Sequence, residues 1–62
     1  MTIGSRVRAL RDGKLFQKGD EGIIVGITTH MPLGAVDFRV SFVTANKEHI
    51  KTIPGTDLEA VT

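Results

Sequence analysis

Cysteine is absent from this 62-residue chain, which excludes a disulfide framework, a thiolate nucleophile and a zinc–thiolate site. Tryptophan and tyrosine are also absent, and the aromatic residues are Phe16, Phe38 and Phe42. An aromatic cage for a methylated lysine is thereby excluded. Apolar runs long enough to cross a bilayer are missing, as is a hydrophobic segment near the N-terminus. A soluble, cytoplasmic protein is expected, and the lack of thiols is compatible with that. The formal net charge of +1 is too small to argue by itself for nucleic acid. There is no internal repeat, linker, low-complexity tract or sustained 3.6-residue period, so one domain spanning residues 1–62 is expected.

What the chain does contain is short alternating segments separated by turn residues. Residues 5–11 alternate Arg6 and Arg8 with Val7 and Ala9, the pattern of a half-buried strand with both arginines facing solvent. Asp12-Gly13-Lys14 signals a turn, after which Leu15-Phe16 is expected to fold back as a lid on the core. Gly19 and Gly22 mark a bend, and the nearly all-apolar segment 22–27 reads as a strongly bent strand buried on both faces. Residues 28–37, with Pro32 and Gly34, read as a long hairpin loop. Phe38, Val40 and Phe42 alternate with Arg39 and Ser41 as a strand. Thr44 to Lys47 is a tight turn with Asn46 suited to a left-handed backbone, and residues 48–53 form the partner strand. Pro54 to Asp57 predicts a short helical turn, and Leu58 to Val61 a last strand. Five short strands with close turn signals predict an all-β small barrel. Its expected core is Val7, Ile24, Val25, Ile27, Phe38, Val40, Phe42, Ile50, Ile53, Leu58 and Val61.

The segments Gly4-x-x-Val7, the loop with Phe16 and Gly19, Gly22-x-Ile24-x-x-Ile27 and the ending from Ile53 to Val61 resemble SH3-like barrels of the KOW and Tudor-like kind. They also resemble small bacterial domains of unknown function with the same layout. The resemblance covers nearly the whole chain and implies a five-stranded SH3-like barrel with a short helical turn before the last strand. A weaker resemblance links Gly4 to Arg8, Ile23 to Ile27 and Leu58 to Val61 to plasmid-borne type II dihydrofolate reductases. That family binds folate and NADPH in the pore of a tetramer, through a stretch corresponding to Ile50-Lys51-Thr52-Ile53. Lys51 and Ile53 replace the family's glutamine and tyrosine, so the activity is not carried over.

Candidate chemistry is sparse. His30 and His49 lie in different elements without ligand spacing and read as solvated surface residues. Ser5 and Ser41 lack a nucleophile-elbow context. Gly19-Asp20-Glu21-Gly22 lacks the Lys-Ser/Thr and the helix that a phosphate loop requires. No enzymatic activity, cofactor, metal or membrane association is expected. Two binding surfaces are. Met31, Leu33 and Val36 sit in the 29–36 loop, which a domain this small cannot easily bury: either the loop folds back over the barrel mouth, or it makes a contact with another protein or a second copy, for which an open strand edge also serves. The alternative is nucleic acid, held through phosphates by the basic set Arg6, Arg8, Arg11, Lys14 and Lys18, against which residues 1–18 place only Asp12.

Overall fold

The computed structural model describes residues 1–30, 34–44 and 46–61, with His30 and Thr44 described by backbone alone. Strands β1 (Arg6–Ala9), β2 (Glu21–His30), β3 (Ala35–Thr44) and β4 (Lys47–Pro54) are followed by a 3₁₀ turn (Gly55–Asp57) and β5 (Leu58–Ala60). All five join one antiparallel sheet in the order β4-β3-β2-β1-β5. The fold is therefore the expected all-β one, five strands with a helical turn before the last. The hydrogen-bonded ladder does not close into a ring: β4 and β5 end it.

One face of this sheet carries the core. Val7 and Ala9 of β1, Ile24 of β2, Phe38, Val40 and Phe42 of β3, Ile53 of β4 and Leu58 of β5 are buried in one cluster. Phe16 and Val36 pack against its edge. The Phe16 ring stacks on Phe42 at 5.0 Å between centroids, with 8° between the planes. It caps the core as expected of the lid, whereas its neighbour Leu15 remains 55% exposed.

β2 and β3 run further than their sequence suggests. The stretch 28–37, expected as a loop, is mostly ladder: Thr28, Thr29 and His30 pair with Asp37, Val36 and Ala35. Backbone pairing satisfies these residues' N–H and C=O groups, which overrides their weak strand signal. Asn46 takes the left-handed backbone expected of it, at φ +64°. Gly19 is left-handed at φ +95°. Gly22 acts differently, through close approach. A Cβ there would lie 2.6 Å from both the Ser41 carbonyl oxygen and Val40 Cγ1.

Four expected core residues lie outside the core. Val25 is 39% exposed, Ile27 44% and Ile50 53%, while Val61 is half-buried. In β2 the buried positions are Gly22, Ile24 and Gly26: the first two lie against the core, whereas Gly26 is covered on the opposite face by the Arg39 side chain. The register then slips, with Ile24 opposite Val40 but Gly26 opposite Arg39, which leaves Val25 as an extra residue in a bulge. Beyond the bulge Ile27 faces Phe38, but β1 pairs with β2 only over residues 21–23 and leaves that end uncovered. Ile50 is excluded by parity: Ile53 is buried, and residues three apart on a strand point to opposite faces. The same parity makes His49 half-buried rather than outward-facing. Ala9 is a core residue that the alternation of β1 already places beside Val7.

Candidate functional site

The second face of the sheet is mapped by its cross-strand pairs. Arg6, Ile23, Ser41 and Ile50 are successive partners across β1, β2, β3 and β4, so their side chains share this outer face. Val43, two residues beyond Ser41, lies on the same face opposite Glu48 and is 71% exposed. On the other side of Ser41, Arg39 pairs with Thr52, and the bulged Val25 and Gly26 lie across from it. A Cβ on Gly26 would meet Arg39 Nε at 2.5 Å, so the guanidinium lies across β2 there.

The outcome is an apolar patch of Ile23, Val25, Val43 and Ile50 around Ser41. Ile23 is 41% exposed, and these four are among the chain's large exposed apolar side chains. Ser41 itself is 7% exposed, and its hydroxyl donates to Glu48 Oε2 at 2.5 Å. That bond satisfies the polar group at the centre of the patch and turns the carboxylate toward it. Beside the patch lies an open depression of about 180 Å³ lined by Arg6, Glu21, Gly22, Ile23, Ser41 and Val43. Ligand pockets span roughly 300–1,000 Å³ and close around their ligand, so this relief fits a protein surface better than a small molecule.

The five basic residues of the N-terminal segment do not form one free cationic strip. Arg8 Nη1 donates to Glu59 Oε1 at 2.9 Å, and its Nη2 lies 3.7 Å from Glu21 Oε2. Arg6 Nε lies 3.9 Å from Glu21 Oε1, and Arg11 Nε 3.4 Å from Asp57 Oδ1. Glu21 and Glu59 are the cross-strand partners of Arg8 on β2 and β5. Charge counted along the chain misses them because they arrive from other strands. Lys14 and Lys18 stand apart on an exposed loop.

That loop is tied down by its own backbone. The Lys18 N–H donates to Asp12 Oδ1 at 2.8 Å and the Gln17 N–H to Asp20 Oδ2 at 3.0 Å. The Gly13 N–H donates to the Phe16 carbonyl at 3.0 Å and the Gly19 N–H to that of Ala9 at 2.8 Å. Leu15 carries the conformational cost with φ +74°, an unusual state for a branched side chain.

Of the protein-contact residues expected at 29–36, Met31 and Leu33 lie outside the described residues, and Val36 is half-buried against the core. The His30 side chain is likewise outside them, and no three His, Asp or Glu side chains gather to hold a metal among the described residues. Among those residues, too, no helix is long and apolar enough to cross a membrane. The patch residues are legible in part, since Ile23 and Val25 alternate with Gly22 and Ile24 before the bulge changes the parity. That is the signal of a strand whose two faces differ, and the exposed face is apolar. Comparison with known proteins finds no matching family model, curated protein or solved structure.

Proposed function

We propose that this chain is a non-catalytic interaction module that works by protein–protein association, its own copies included, through the outer face of β2, β3 and β4. The observation that carries the reading is the patch of Ile23, Val25, Val43 and Ile50, contiguous across three strands and centred on a satisfied Ser41–Glu48 pair. Monomeric proteins rarely leave grouped apolar side chains of this kind in water, and their burial is the main drive for association. The domain has reason to use it: a chain of about 60 residues buries only about 60% of its unfolded surface by itself. The face displaces the 29–36 loop as the leading contact surface. Ion pairing of Arg6, Arg8 and Arg11 with carboxylates favours this reading over nucleic acid, whose phosphates would have to compete with those acids.

Sedimentation velocity of the wild-type chain and of Ile50→Lys over a wide concentration range tests the reading. The wild type is expected to shift to a larger species on concentration. Ile50→Lys should stay monomeric with an unchanged circular dichroism spectrum, because residue 50 is outside the core. A wild type that is monomeric throughout, or a variant that associates equally well, overturns it.

A further inference from the structure

We infer that the occupant of this face is a second copy of the chain, stacked face to face about a two-fold axis that runs across the strands, along the row Ile23–Ser41–Ile50. The inference rests on the association proposed above and adds its partner and register. An isologous contact needs a patch complementary to itself. This patch is polarised along β3: Arg39 lies on one side of the central row and Glu48 on the other, where Glu21 of the adjoining depression is already paired with Arg8 and Arg6 of its own chain.

Two in-plane axes are available for stacking two such sheets. An axis along the strands sets Arg39 over the partner's Arg39 and the acidic ends over each other, juxtaposing like charges twice. An axis across the strands reverses the rows. Ile23 and Ile50 then meet their own counterparts, Val25 comes over Glu21 of the other copy, and Arg39 comes over its Val43 with Glu48 alongside. The same contact forms a second time by symmetry. Arg6, on the central row but on β1, has Glu21 of its own chain as counter-ion. Opposite charges at the rim suppress the wrong register and speed the right encounter, while the apolar centre supplies the affinity.

The test is a charge-exchange experiment read by sedimentation. Arg39→Glu and Glu48→Arg are prepared separately, each checked for fold by circular dichroism and thermal melting. Each reversal sets like charges together at both symmetric contacts, so each variant alone should associate about tenfold or more weakly than wild type. In an equimolar mixture the carboxylate introduced at position 39 of one copy faces the guanidinium introduced at position 48 of the other. The second contact keeps its native pair, Arg39 against Glu48. Assembly should then return as a mixed dimer. Glu48→Gln keeps an acceptor for the Ser41 hydroxyl while losing the charge, and should weaken assembly a few-fold without loss of fold. Charge variants that assemble like wild type, or a mixture that stays dissociated, overturn the two-fold stacking. If Ile50→Lys still abolishes association in that case, the face remains the contact and only its register is wrong. If Ile50→Lys is also without effect, both readings fall.

Discussion

The two faces of this sheet are built from the same residue types and have opposite fates. On the inner face Val7, Ile24, Val40 and Phe42 are almost fully buried, because β1 and β5 join the curl of the sheet and Phe16 closes one edge. On the outer face Ile23, Val25, Val43 and Ile50 alternate with them and stay in water. Consecutive residues such as Phe42 and Val43 differ only in which side of the pleat they occupy. Apolar character therefore does not distinguish core from contact surface in this molecule. What distinguishes them is whether a second layer of the same chain is there to cover them.

The largest effect that sharpens this contrast is expected from Phe42→Ala against Val43→Ala. Truncating Phe42 should cost about 3–5 kcal/mol, comparable with the entire stability expected of so small a domain. The neighbouring Val43→Ala should change monomer stability by less than about 0.5 kcal/mol. Denaturant unfolding measures both, and equal costs would dissolve the distinction between the faces.

A smaller effect separates the two buried glycines of β2. Gly22→Ala drives a methyl group against the β3 backbone at Ser41 and should destabilise by about 1–3 kcal/mol. Gly26→Ala meets the far end of the Arg39 side chain, which can swing away, so its cost should stay under about 1 kcal/mol. Thermal melts of the two variants rank them, and the reverse order would contradict the tight β2–β3 approach.

The smallest effect concerns the strained loop beside the core. Leu15→Asn gives a left-handed position to a residue that tolerates it, and should hold stability or raise it by up to about 1 kcal/mol. A clear loss of stability in the same melts would mean that Leu15 contributes packing that outweighs its backbone strain.

Much of the architecture is legible in the sequence because it depends on local chemistry. Alternation announces β1 and the centre of β3, Asn46 and Gly19 announce left-handed turns, and Pro54-Gly55 announces the 3₁₀ turn. The site is less legible. Segment 22–27 reads as buried on both faces because apolar composition does not reveal whether a covering layer exists. Ile50 reads as inward together with Ile53, although their odd spacing places them on opposite faces. The basic face looks unopposed because Glu21 and Glu59 are far from Arg8 along the chain but adjacent to it across the sheet.

By itself the amino-acid sequence determined that this chain is all-β, with five strands and a helical turn before the last, since periodicity and turn chemistry act over a few residues. Only the tertiary structure decided which apolar residues became core and which became surface. Register, the Val25 bulge and the open end of the ladder are set by pairing between distant segments, and burial follows from that pairing rather than from any residue's own hydrophobicity.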